Sequence, residues 1–195
     1  MALLARVRRP HLLARGIVAL SWYLGLSAEL GEAQSPSDPV QQEIEAAYLL
    51  NFTRYVEWPA RSFATSNAVL KLCVTGADEF RPILERTVAG RRARGRPLQV
   101  LAPEVPAAAG ECHVIYIGGG RTPAAQWLTA LENRPILTVG AGADFRRRGG
   151  MIAFVVVNGT VRFEIDAERA RRAGLQISSR VLALATHVAD NGSQR

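Results

Sequence analysis

The stretch Val114–Val139, VIYIGGGRTPAAQWLTALENRPILTV, decides the fold. Val114–Ile117 is a short apolar run, as in a buried strand, and Gly118-Gly119-Gly120 ends it. Thr122 stands where a helix N-cap belongs, with Pro123 at the first helical position, so a helix is expected to about Glu132. Ile136–Val139 is then a second strand. Two strands joined through a helix pair in parallel, by a right-handed crossover.

The same alternation recurs on both sides. Toward the N-terminus, Val69–Val74 predicts a strand ending at Thr75-Gly76. Glu79–Val88 predicts a helix with Pro82 in its first turn. Leu98–Ala102 predicts a strand, and Pro103–Gly110 a loop. Further upstream, Asp38 reads as an N-cap, with Pro39 at the first helical position and Gln41 completing a capping box. Ile44, Ala47, Tyr48, Phe52, Tyr55 and Val56 then recur at helical spacing, Leu49 and Leu50 widen the apolar arc, and Pro59 ends the helix.

Toward the C-terminus, Met151–Val157 is an unbroken apolar run, as expected of a strand covered on both faces. Asn158-Gly159 is the favoured two-residue hairpin turn. Val161, Phe163 and Ile165 alternate with Thr160, Arg162 and Glu164, which leaves the second hairpin strand one wet face. Asp166 caps a short helix stopped by Gly174. Ser178 or Ser179 caps a last helix with Val181, Leu184, Ala185 and Val188 on one side. The expected fold is a single three-layer α/β domain over residues 39–189. Its sheet is mostly parallel, five- to six-stranded, Rossmann-like or flavodoxin-like, with a C-terminal antiparallel hairpin.

The 195 residues are 48% hydrophobic and 21% charged, which excludes a collagen-like chain, a coiled coil and wholesale disorder. Basic residues outnumber acidic ones by 24 to 17, and Lys71 is the sole lysine, so the arginine skew reads as compositional bias before it reads as function. Residues 1–33 read as a secretory signal peptide. Arg6, Arg8, Arg9 and Arg15 form its positive start, and Gly16–Ala28 its uncharged apolar run, too short for a bilayer span of about 20 residues. Small residues around Ala33 offer a cleavage site, and Ala28 a second. Residues 34–38 then form a polar leader and 190–195 a disordered tail. An exported chain of net charge about +5 has little occasion to meet nucleic acid.

Export also bears on the two cysteines. Cys73 and Cys112 allow one intramolecular bridge, and an oxidising compartment favours it over two buried free thiols. Geometry opposes it. Parallel strands in the simplest register hold the two Cα atoms beyond about 7 Å, unless the strands are offset or Cys112 lies in the loop before its strand.

Catalytic residues are few. His113 borders a strand and His187 falls in the last helix. No G-x-S-x-G elbow and no H-E-x-x-H occur, and the cysteines and histidines lack metal-ligand spacing, so neither a metal nor a cofactor is implied. Gly118, Gly119, Gly120, Arg121 and Thr122 form a candidate ligand or anion loop between a strand and a helix N-terminus. Glycines there equally make a tight strand-to-helix turn. Arg91, Arg92, Arg94 and Arg96, and Arg146, Arg147 and Arg148, could meet an acidic partner or anionic headgroups, but charge runs are usually solvated faces. The stripe Tyr48, Phe52, Tyr55 and Trp58 divides between core packing and a partner.

The first helix carries AAYLLNFTRYVEWP over Ala46–Pro59, which resembles the opening motif of the YfiR-like family, A-x-x-L-x-N-F-x-x-[FY]-V-x-W-P. Arg148-Gly149-Gly150-Met151-Ile152 resembles its R-G-G-M-I. Val161–Ile165 and Gly174–Ser179 resemble its V-x-F-E-I-N and G-L-x-I-S-S, with Asp166 in place of Asn and Arg180 where Lys is common. Some relatives carry a second cysteine pair that this chain lacks.

The resemblance implies a periplasmic regulator and not an enzyme. Its partner would be the periplasmic sensor part of an inner-membrane diguanylate cyclase, which it represses. An outer-membrane lipoprotein could relieve the repression, and a homodimer is left open. The output would be cyclic di-GMP and biofilm formation. Partner-binding candidates are Trp58, Arg162, Glu164 and Arg180; cross-strand or cap pairing is an equal reading for Glu164. The alternative is a periplasmic small-ligand sensor or carrier using the glycine crevice, and a third reading is a hydrolase without a recognisable motif.

Overall fold

A computed structural model describes residues 38–119 and 123–189. The expected signal peptide, the leader before Asp38 and the tail after Ala189 lie outside the described residues, as do Gly120, Arg121 and Thr122. The elements run α1 (Pro39–Tyr55), β1 (Val56–Glu57), a 3-10 turn (Ala60–Ser62), β2 (Leu70–Thr75), α2 (Phe80–Val88), β3 (Arg92–Ala93) and β4 (Arg96–Leu101). They continue through a 3-10 helix (Pro106–Glu111), β5 (Val114–Ile117), α3 (Ala124–Ala130), β6 (Leu137–Ala141) and α4 (Ala143–Arg147). The last are β7 (Ile152–Val157), β8 (Thr160–Asp166), α5 (Ala167–Arg172), β9 (Gln176–Ile177), α6 (Ser179–Leu184) and β10 (His187–Ala189).

The main sheet has the order β10-β8-β7-β6-β5-β2-β4-β3. Its five central strands, β7 to β4, are all parallel. Numbered by chain order they read 2-1-3-4-5 from β4 to β7, the flavodoxin-like arrangement. β8 joins β7 antiparallel through the Asn158-Gly159 turn, where Asn158 has φ 50° and Gly159 φ 72°. Both central turn residues take positive φ, as a type I′ hairpin requires.

Alternation sorts the strands into two cores. Leu72, Val74, Val114, Tyr116, Val139 and Phe154 pack with α1 and α2 on one face. Cys73, Ile115, Ile117 and Ala153 pack with Trp127, Leu128 and Phe145 of α3 and α4 on the other. This is the three-layer domain that the alternation of elements predicts.

The six longer strands are the expected ones. β3 and β10 are additional, and β1 and β9 form a separate antiparallel ribbon, Val56 opposite Ile177. The expected last helix is therefore corrected. α6 stops at Leu184, Ala185 is extended, and Val188 lies in β10, paired in parallel with Ile165 of β8. An open sheet edge supplied hydrogen-bond partners that helical spacing could not announce. The first helix is likewise shorter than expected, because Val56 and Glu57 leave it for the ribbon. The expected loop at Pro103–Gly110 is ordered in its second half as a 3-10 helix that runs on to Glu111.

α1 starts as the sequence predicts, with Asp38 Oδ1 accepting from the Val40 N–H at 2.9 Å. The reciprocal arm of the capping box does not form; Gln41 instead donates from Nε2 to Glu45 Oε1 at 2.9 Å. The buried face of α1 is also rotated from the expected stripe. Glu45, Ala46, Leu49, Leu50, Phe52 and Thr53 are buried, while Ile44 is 39% and Tyr55 36% exposed.

Candidate functional site

That rotation leaves an aromatic groove between α1, α6 and β8. Phe52 and Phe163 form its floor, meeting edge to face at 5.2 Å, and Tyr48 stands 5.1 Å from Phe163. Asn51 and Tyr55 continue the α1 wall; Arg180, Val181 and Leu184 form the α6 wall, around about 280 Å³. Leu184, at the groove's edge, is 67% exposed. Arg180 is exposed and makes no ion pair among the described residues.

Local connections set the groove's width. The β1–β9 ribbon ties the end of α1 to the chain entering α6, and the Ser178 N–H donates to the Tyr55 carbonyl at 3.0 Å. Ser178 is the N-cap of α6, but its side chain makes no cap bond. The floor is rigid aromatic packing, and the walls offer one guanidinium, one amide and two tyrosine hydroxyls. The groove can take an apolar side chain with an acidic neighbour, a chemistry of binding.

The four partner-binding candidates separate. Arg180 lines the groove. Arg162 is exposed on β8, opposite Val155. Glu164 is half-buried and accepts from Arg146 Nε of α4 at 3.0 Å, so the expected wet face of β8 is partly covered. Trp58 is half-buried and donates from Nε1 to the His113 carbonyl at 3.1 Å, which makes it a clamp on β5.

Cys73 and Cys112 are joined, with Cα atoms 5.9 Å apart. The strand register is the simple one, Cys73 opposite Ile115, but Cys112 lies outside β5. It follows the 3-10 helix, and with Ala109 it packs on the sheet face toward which Cys73 points.

At the glycine loop, Gly118 donates its N–H to the Thr75 carbonyl at 2.8 Å. A Cβ on Gly118 would lie 2.4 Å from the Gly76 carbonyl oxygen, so glycine is required there for the contact between two strand-end loops. Gly119 is exposed. In the first arginine cluster, Arg94 pairs with Glu57 at 2.8 Å, and Arg96 donates to the Thr65 and Ala68 carbonyls and lies 3.6 Å over the Phe63 ring. In the second, Arg146 is held by Glu164 and Arg147 pairs with Asp144.

Two features escape sequence reasoning. Glu45 is fully buried and accepts from Tyr116 Oη at 3.1 Å as well as from Gln41. Burial raises its pKa, the two hydrogen bonds lowering it in part; burial and the nearby Glu45 also raise that of the Tyr116 hydroxyl. The available signal was a hydroxyl inside the otherwise aliphatic strand Val114–Ile117, which needs a buried acceptor. The other is His113, buried at the mouth of β5.

The family model DUF4154, described as YfiR/HmsC-like, matches residues 42–186, from within α1 to just before β10. The chain belongs to the YfiR/HmsC-like family. A conserved domain protein from Vibrio cholerae O1 biovar El Tor is similar in fold, at TM-score 0.53 and 16% identity, over 77% of this chain and 60% of that one. The ABC domain in complex with L-Trp from Streptococcus pneumoniae matches at TM-score 0.44 and 13% identity, over 77% and 60%. The chain thus spans 60% of the length of each of these structures.

Family motifs acquire physical reasons here. In the YfiR/HmsC-like R-G-G-M-I segment, Gly149 takes φ 108°, and a Cβ on Gly150 would lie 2.1 Å from the Phe145 ring. Phe52 and Val56 of the opening motif are core, and Asn51 and Tyr55 line the groove.

Proposed function

We propose that this YfiR/HmsC-like chain is a periplasmic regulator that represses an inner-membrane diguanylate cyclase by contacting its periplasmic part. Repression lowers cyclic di-GMP and biofilm formation. An outer-membrane lipoprotein relieves it by competing for the regulator. The family match supports the class of function, and the groove between α1, α6 and β8, where Arg180 is exposed and makes no ion pair among the described residues, carries the choice of surface. Such a surface suits a partner segment with an apolar anchor and a carboxylate. Arg162 is a separate candidate: it alternates with the floor residue Phe163 along β8 and so faces the other side of the sheet. Repression by contact needs a surface and no chemistry at the chain.

The test is a deletion strain complemented with the natural chain, Arg180→Glu or Leu184→Asp, with intracellular cyclic di-GMP as readout. Both positions are exposed, so each variant is expected to stay within about 0.5 kcal/mol of the natural stability. Deletion should raise cyclic di-GMP, the natural chain should lower it, and the variants should fail to. Unchanged cyclic di-GMP on deletion, with the cyclase expressed, sinks the regulatory reading. Full repression by both variants moves the contact away from the groove.

A further inference from the structure

His113 lies outside the groove, and its ring joins three segments. The Lys71 N–H of β2 donates to Nδ1 at 3.1 Å, and Nε2 lies 3.0 Å from the Ser62 carbonyl oxygen of the 3-10 turn. An amide N–H only donates and a carbonyl only accepts, so the ring that satisfies both is neutral with its proton on Nε2. Phe63 stacks on the ring at 4.5 Å, and Trp58 meets it edge-on at 6.3 Å. Arg96 covers the outer face of Phe63. The stack holds Trp58–Phe63 against the start of β5.

The charges around the ring are mainly positive. Lys71 faces it from β2 and Arg96 from β4; Glu111, two residues before His113, is engaged by the Lys71 ammonium. Burial, then the charges of Lys71 and Arg96, hold the His113 pKa below its ordinary value, against the opposing hydrogen bond to Ser62.

We propose that His113 is an acid-sensitive pin whose protonation releases Ser62 and Phe63 from the sheet and removes the ring on which Trp58 packs edge-on. A proton taken from solvent onto Nδ1 removes the lone pair that accepts the Lys71 N–H and sets two donors face to face. The imidazolium also sits beside two cations with no carboxylate bonded to it among the described residues. The ring must leave its slot, and the Phe63 stack and the Ser62 bond go with it. β1 runs directly into Trp58, and β1 pairs with β9 at the entrance to α6, so release loosens the frame of the groove. That last consequence rests on the groove's proposed role; the pin itself does not.

The experiment is an NMR titration of the full chain from pH 7.5 to 4.5. It follows the His113 ring, the Lys71 amide and the Trp58 indole N–H, with the amides of β6 and β7 as the measure of global folding. The three signals should move together, with one midpoint below the ordinary histidine value of about 6.5, while β6 and β7 stay protected. Lys71→Gln removes a cation at a partly exposed position and should shift that midpoint upward. His113→Gln, if it folds, should leave the Trp58 indole independent of pH; if it does not, the Lys71→Gln titration decides. A ring that titrates with the Lys71 amide and the Trp58 indole unmoved overturns the pin. Movement only on loss of β6 and β7 protection overturns it too. These readouts use no partner, so they stand or fall apart from the cyclic di-GMP test.

Discussion

Glu45 shows what one carboxyl can do to a pH profile. Burial holds its pKa above the ordinary glutamate value of 4.5, so the folded chain binds this proton more tightly than the unfolded chain does. The stability that follows is fully present below that ordinary value and is lost as pH rises through the folded pKa. Glu45→Gln keeps the size, keeps an acceptor for Tyr116 and carries no charge. We expect the variant to resist urea better than the natural chain at pH 8, with the advantage gone near pH 4; equal gaps at both pH values would show that the buried charge is not the cause. His113 has the opposite sign: its depressed pKa supports the fold above the ordinary histidine range, and that support declines as pH falls below it. A third residue needs no titration. Gly150→Ala drives a methyl into the Phe145 ring and should cost about 1–3 kcal/mol in urea unfolding, the usual penalty of overpacking.

Elements long enough to show a period were legible. β7 announced itself as an unbroken apolar run, but only Ile152–Phe154 are covered on both faces; Val156 and Val157, at the hairpin end, are exposed. β8 was legible by alternation, and the turn between them by Asn158-Gly159. β1, β3, β9 and β10 have two or three residues each, too few to carry any period, and they exist because a neighbouring strand offered free hydrogen-bonding groups. The groove was half-legible. The Tyr48–Tyr55 stripe was visible, but which part faced outward depended on Glu45 turning inward toward Tyr116, a residue 71 positions away. The bridge was open on sequence alone because the direction from which the 3-10 helix delivers Cys112 is not a property of either strand. It spans a sequence separation of 39, so replacing both cysteines by serine should cost roughly 3–4 kcal/mol in the chain-entropy model. Denaturant midpoints of the oxidised natural chain and the double variant measure this; a loss under 1 kcal/mol would mean the unfolded chain is already compact there.

For the whole molecule, the groove and the pin lie on one continuous path. Trp58 clamps β5, the next residues upstream pair with β9, and β9 leads into α6. The glycine contact between the loops after β2 and β5 lies across the sheet from that path, at the carboxyl ends of the strands. Hydrogen exchange on the natural chain should therefore show β1, β9 and α6 opening as one unit at lower free energy than β5 and β6, since they are short and joined to each other before they are joined to the sheet. Separate opening of α6 alone would break the path.

The closing of α1 by the last third of the chain also has a temporal side. Phe52 of α1 packs on Phe163, and Tyr55 is bonded to Ser178, contacts across more than a hundred residues. A polypeptide that emerges from its N-terminus presents α1 first and its covering strands and helix last. Until then the aromatic face has nothing native to rest on, and the high contact order delays the nucleus. Slow closure of this kind leaves the aromatic face of α1 uncovered for longest during synthesis, which makes the helix the part most in need of a holdase along the way.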